Sequence, residues 1–240
     1  MARWKVKKSP EYVEVYYNEV QWRLLREKRE KAREVMKALK SRGVFSVVHG
    51  SIARGDVTPS SDIDVFIPFT IPSYIVELSL EEAGFKPYRR LLVQATPSST
   101  PKAYIMLDER EELIVSFPLA KLSKTEYEFY KFGGLVTLEE LNKDIRVPGV
   151  DKRLVLIEPT SFGHRESPVI GREGEVARKL GISIETILER IRVLTRRDEV
   201  GRTGVFLKYE LAPHEVFESV LTKLSRTNQY LRRILRERGR

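Results

Sequence analysis

The sequence predicts an α+β chain: a mixed β-sheet packed on helices, followed by a smaller, mainly helical domain. Three observations carry this. Between residues 47 and 117, short apolar runs bounded by glycine, proline or acidic turns alternate with helical patterns. A long amphipathic stretch precedes them. Past residue 168 the apolar spacing is helical over most of the remaining chain. The expected boundaries are a sheet domain over 1–122, a connecting segment over 123–168 and a C-terminal domain over 169–240.

From Tyr17 to Leu39 the apolar residues Val20, Leu24, Leu25, Ala32, Val35, Met36 and Leu39 recur at helical spacing, and Gly43 fits a C-cap. The charge run from Arg26 to Lys40 mixes signs, so it reads as a solvated face laced with ion pairs rather than a nucleic-acid surface. Val47-Val48-His49 reads as a strand, Gly50-Ser51 as a tight turn, and Asp62 to Ile67 as a second strand. Pro68 and Pro72 break the chain. Ser73 to Ala83 fits a helix stopped at Gly84, and Arg89–Ala95 and Lys102–Leu107 read as strands around a turn-rich Thr96–Pro101. Glu111–Phe117 is the next strand, ended by Pro118. Lys121–Asp144 is mixed, with a break at Phe132-Gly133-Gly134. Thr137–Lys143 then reads as a short helix in which Thr137 and Glu140 form a capping box. Arg153–Glu158 is a strand, and Pro159–Pro168 reads as a linker or ordered loop marking the domain boundary.

Composition bounds the function. At 240 residues the chain can bury a sizeable core. With 32% charged and 41% hydrophobic residues it reads as a soluble globular protein. Lys plus Arg number 43 against 34 Asp plus Glu, and the net charge of +9 suits an anionic partner such as nucleotide or nucleic acid. Without cysteine there are neither disulfides nor thiolate metal sites. No signal peptide or membrane-spanning run is apparent, which points to the cytoplasm. Sparse Asn and Gln with abundant Arg, Lys and Glu match a thermophile's usage.

The chemistry concentrates at the second strand. Alternation sends Asp62, Asp64 and Phe66 to one face and Ile63, Val65 and Ile67 to the other. Two carboxylates on one face repel unless neutralised, and Mg²⁺ (or Mn²⁺) takes such a pair while completing its shell with phosphate oxygens and water. Gly50 lets backbone approach a phosphate, and Ser51 adds a hydroxyl. Arg54, just beyond, is a planar donor for a triphosphate or a solvent-exposed side chain. His49 reads more readily as a structural strand-end histidine. The loop Ser98 to Lys102 offers hydroxyls and a cation, either for nucleotide or as a plain turn.

An apolar strand, Gly50-Ser51, ten residues, then Asp62-Ile63-Asp64-Val65 resembles the signature of the nucleotidyltransferase superfamily that includes DNA polymerase beta, CCA-adding enzymes and small antitoxin nucleotidyltransferases. In more detail the chain is similar to the archaeal predicted nucleotidyltransferases. The resemblance implies the nucleotidyltransferase fold for the sheet domain, a nucleoside triphosphate as substrate, and Asp62 and Asp64 as metal-holding catalytic residues. It also implies a third carboxylate on a neighbouring strand. The expected place, counted back from Pro118, holds Leu113 or Val115; Glu111 shares their parity and is the best substitute, while Glu112 points the other way.

Farther on, Glu173–Leu180, Gly181 and Ile184–Thr195 read as helix, turn, helix, and Arg196 to Leu211 as a wing hairpin. This resembles a winged helix-turn-helix domain, with Arg190, Arg196, Arg197 and Arg202 as phosphate contacts and Ser183 and Thr186 where base or backbone contacts would start. Pro213–Arg240 is helical and ends in a strongly basic tail. The resulting expectation is Mg²⁺-dependent transfer of a nucleoside monophosphate from an NTP to an acceptor hydroxyl. Nucleic acid is the favoured acceptor, with protein and small molecule open. The alternative is an inactive descendant acting as a nucleic-acid-binding or regulatory module.

Overall fold

The computed structural model describes Val6, residues 12–201 and residues 203–239. The chain runs β1 (Val13–Tyr16), α1 (Glu19–Ser41), β2 (Val47–His49), α2 (Ser51–Arg54), β3 (Ile63–Phe66), α3 (Ser73–Glu82), β4 (Arg89–Gln94), β5 (Lys102–Met106) and β6 (Leu113–Pro118). It continues through α4 (Lys124–Phe132), β7 (Leu135–Thr137), α5 (Leu138–Asn142), β8 (Gly149–Val150), β9 (Val155–Thr160) and β10 (Gly163–Pro168). Last come α6 (Glu173–Leu180), α7 (Ile184–Val200), β11 (Leu207–Glu210), α8 (Phe217–Thr227) and α9 (Gln229–Arg238). No helix among the described residues is long and apolar enough to cross a membrane.

Two compact units interleave along the chain: residues 1–30, 48–61 and 124–203 form one, and 31–47, 62–123 and 204–240 the other. Neither is a contiguous block such as 1–122 or 169–240.

In the first unit an antiparallel sheet is ordered β1-β10-β9-β8. Its centre is a hairpin in which Gly163 pairs with Thr160 and Pro168 with Val155. The segment expected to be a linker or ordered loop is therefore ordered sheet. Pro159 and Pro168 fall near strand ends, where a missing N–H disturbs the ladder least. The apolar core of this unit gathers Phe132, Val150, Leu154, Leu156, Val169, Val176 and Ile187. Gly181, at φ 62, ends α6 as the sequence predicts. Thr137 and Glu140 form the capping box, with both reciprocal bonds present.

In the second unit β11, β4, β5, β6 and β3 follow one another in that order. β3 and β6 are parallel, while β6/β5, β5/β4 and β4/β11 are antiparallel. This is the predicted mixed sheet. One face carries Ile63, Val65, Val115, Phe117, Ile105 and Leu92, all buried. A helix covers it: Phe117 meets Phe217 of α8 edge to face, with ring centroids 5.7 Å apart. Burying such a ring contributes about 1.5–3 kcal/mol. The opposite face carries Asp64.

Among the described residues the predicted wing forms no hairpin. α7 continues through Val200, because Thr195 to Val200 holds no helix breaker, and β11 pairs with β4. The C-terminal segment splits at Asn228, whose side chain caps α9 by accepting from the N–H groups of Tyr230 and Leu231.

Candidate nucleotidyl-transfer site

In the first unit the turn at Gly50 has φ 77 and ψ −143, a conformation that L side chains avoid. A Cβ at Gly50 would meet nothing within 4 Å, so open space lies over this backbone. The N–H of Gly50 donates to the carbonyl of Gly134 at 2.9 Å. That group is engaged within the fold, and the N–H groups of Ser51 and Ile52, at the start of α2, have no partner inside the helix. The Gly133-Gly134 break is thus the partner of the turn. Gly149 packs behind it so closely that a Cβ there would lie 2.5 Å from the nitrogen of Gly134. His49 meets the Tyr130 ring edge-on at 4.8 Å, the structural role the sequence favours.

Arg54 does not reach toward a triphosphate. It is 5% exposed, holds Asp56 through two hydrogen bonds of 3.0 and 2.9 Å, and donates to the Gly133 carbonyl at 2.7 Å. A guanidinium with its donors committed to protein braces α2 instead. Two residues of the charge run on α1 act similarly: buried Lys28 donates to the Ser61 carbonyl at 2.6 Å, and buried Arg29 to that of Ile52 at 3.2 Å. Tyr17 donates to the Gly55 carbonyl at 2.9 Å, and burial, then the charge of Asp56, raises its pKa far above the usual phenol range.

In the second unit Asp62 is exposed and Asp64 half-buried, while their neighbours Ile63 and Val65 are buried. Neither residue is fully buried. β6 sets the parity of the Asp64 face: Asp64 is level with Ile114 and Phe66 with Ser116. Its side therefore carries the even positions of β6, not Leu113 and Val115. Glu111 does not open the strand. It lies in the preceding turn with φ 56, and its carboxylate is bound by Arg89. Glu112 is the acid of matching parity; its carbonyl accepts from Ile63 N–H at 2.6 Å, which extends the β3/β6 register by one residue. The turn is pinned by Asp108, whose carboxylate accepts from the N–H groups of Glu112 and Leu113 at 3.1 and 2.6 Å. Leu113 and Val115 fall on the opposite face because the pairing of β6 with β3, which the β6 residues alone do not specify, sets the parity. Among the described residues no group of three or more His, Asp or Glu side chains is placed to hold a metal ion.

Residues 29–116 match the family model of the nucleotidyltransferase domain. The matched nucleotidyltransferase segment takes in Gly50, Ser51, Asp62 and Asp64 and ends inside β6, and the mixed sheet packed against helices is consistent with that fold. The match supports a nucleotidyl-transfer activity in general terms. No curated protein matches the chain.

The segment expected to grip nucleic acid lies beyond the nucleotidyltransferase match. Ser183 and Thr186 are turned inward onto Glu128 of α4, which accepts from the Ser183 N–H at 3.1 Å and from the Thr186 hydroxyl at 2.5 Å. Burial alone would raise the pKa of Glu128, but these bonds and Lys124 together leave it lowered. Arg190 stacks over Phe129 at 4.8 Å, and burial, followed by Arg197, pulls its pKa down to about 10. It serves packing. Arg196 and Arg197 are exposed on the last turns of α7 rather than on a wing, and Arg202 lies outside the described residues. Arg238 of α9 donates to the Ser98 carbonyl at 3.0 Å and to the Thr100 hydroxyl, fastening the loop before Lys102.

Proposed function

We propose that the protein is a Mg²⁺-dependent nucleotidyltransferase, moving a nucleoside monophosphate from an NTP to an acceptor hydroxyl. The observation that carries this reading is the Asp62/Asp64 pair, open to solvent within the segment that matches the nucleotidyltransferase family. The donor set suits the ion: two hard carboxylates reachable from solvent fit Mg²⁺, which binds through one or two carboxylates and substrate phosphates rather than in an all-protein cage. Asp62 and Asp64 would hold it, and Glu112 is the acid of matching parity on the neighbouring strand. When bound, the ion supplies Lewis-acid neutralisation of the phosphates.

The chain's own groups do the rest. The Gly50-Ser51 turn has backbone N–H groups and a serine hydroxyl, donors that suit a phosphate. The acceptor oxygen attacks the α-phosphorus in line, its proton passes to a carboxylate or to water, and the bond to the bridging oxygen breaks. Pyrophosphate leaves with the electron pair. The acceptor is a nucleic-acid end, favoured by the net charge of +9 and by exposed Arg232, Arg233 and Arg236 on α9. A protein hydroxyl is the other candidate.

A second reading, a nucleotide-sensing module without chemistry, is favoured by Ile114, which stands level with Asp64 where no apolar side chain can bind metal. Incubation with labelled NTPs, Mg²⁺ or Mn²⁺, and pooled RNA, DNA or protein separates the two. Transfer that disappears in Asp62→Ala and Asp64→Ala supports the enzyme. Nucleotide binding without any transfer supports the sensor.

A further inference from the structure

Lys102 rises from the same sheet face as Asp64. Phe66 is level with Ser116, Ser116 with Tyr104, and Pro118 with Lys102, and side chains level across a sheet share a face. The lysine also leans toward β3. Its Nζ lies 5.9 Å from the centre of the Phe66 ring, although the two residues stand on strands separated by β6, about 10 Å apart at ordinary spacing. Phe66 is the next residue on this face after Asp64, a step of about 7 Å. The ammonium group thus stands on the Asp64 side of the sheet, over the residue that follows that aspartate on its face.

Charge balance gives this placement a purpose. A polyphosphate brought to a carboxylate pair adds like charge, of which one divalent ion neutralises only part. On β3, β6 and β5, Lys102 is the cationic side chain of the Asp64 face among the described residues. Tyr104 stands two positions along β5 from it. Burial, and after it the charge of Asp64, pushes this hydroxyl up to about 12, so at neutral pH it is a hydrogen-bond donor.

We propose that Lys102 is a phosphate-binding residue of the transfer site, holding either the polyphosphate of the nucleotide or a phosphate of the acceptor beside Asp62 and Asp64. The inference rests on the nucleotidyl-transfer reading. Its test is calorimetric titration of the full chain with inorganic tripolyphosphate and Mg²⁺, using wild type, Lys102→Met, Lys102→Arg and Asp64→Asn. Lys102→Met is expected to weaken binding at least about tenfold and Lys102→Arg to restore most of it. Thermal unfolding verifies that each variant is folded, and Lys102→Gln replaces Lys102→Met if the latter is not. In transfer assays, a raised KM for NTP assigns the nucleotide as the source of the phosphate, and a raised KM for acceptor alone assigns the acceptor. Unchanged binding and KM values in folded Lys102→Met, beside weakened binding in Asp64→Asn, overturn the Lys102 proposal while leaving the transfer site standing. A wild type that binds neither tripolyphosphate nor NTP overturns both.

Discussion

Arg54 closes on Asp56 through two parallel hydrogen bonds, Nε to Oδ1 at 3.0 Å and Nη2 to Oδ2 at 2.9 Å. Both side chains are largely withdrawn from water, at 6% and 13% exposure. Removing one partner of such a pair strands the other charge, which costs about 3–5 kcal/mol. Arg54→Ala is therefore expected to lower the denaturation midpoint sharply, and Arg54→Lys to rescue little because the fork geometry is lost. Chemical denaturation measures it. A large rise in KM for NTP at wild-type stability would contradict this bracing role.

Gly149→Ala tests the support beneath the Gly50 turn. The added methyl would lie 2.6 Å from the carbonyl carbon of Gly133 as well as 2.5 Å from Gly134 nitrogen, both rigid backbone. The expected outcome is a loss of about 2 kcal/mol or more with impaired nucleotide binding, since the carbonyl that receives the Gly50 N–H must shift. Denaturation and tripolyphosphate titration together measure the two effects.

Glu166 makes the fold acid-sensitive. Its carboxyl is held at about 2, by His164 first, with burial opposing and Arg153 reinforcing. A carboxyl whose folded pKa lies below its usual 4.5 stabilises the fold above that value, and the contribution disappears as pH falls from 4.5 toward 2. After allowance for solvent screening it is worth about 1–2 kcal/mol. Glu166→Gln is expected to flatten the loss of stability across this window, which denaturation midpoints at pH 5, 4 and 3 would reveal.

The two neighbouring glutamates are expected to part company. Glu111→Gln weakens only an ion pair with Arg89, so transfer should stay within about threefold of wild type. Glu112→Gln, on the face of Asp64, is expected to reduce kcat at least about tenfold. Label-transfer rates for the pair decide the matter; the reverse order would restore Glu111 as the third acid.

Local chemistry in the sequence was enough to place Thr137 as a helix cap, Gly181 as a turn and Ile63-Asp64 on a strand, because each depends on neighbours within a few positions. What escaped depends on partners far along the chain. Arg54 looked free because the carbonyl of Gly133 lies 79 residues away. Arg190 looked like a phosphate ligand because its stacking on Phe129 comes only from α4 packing against α7. The β9–β10 hairpin was hidden by its prolines, and the register of β6 by a turn in which Glu111 takes a conformation usual for glycine.

β11 joins β4 more than a hundred residues after β4 has been made, and Phe217 reaches Phe117 across a similar gap. During synthesis, then, the second unit stays open at one border and uncovered on its oily side until residues 207–217 have emerged. A clone trimmed to the stretch bearing the acidic pair would inherit that raw border, so insolubility of such a fragment would reflect an unfinished sheet rather than a defect in its chemistry.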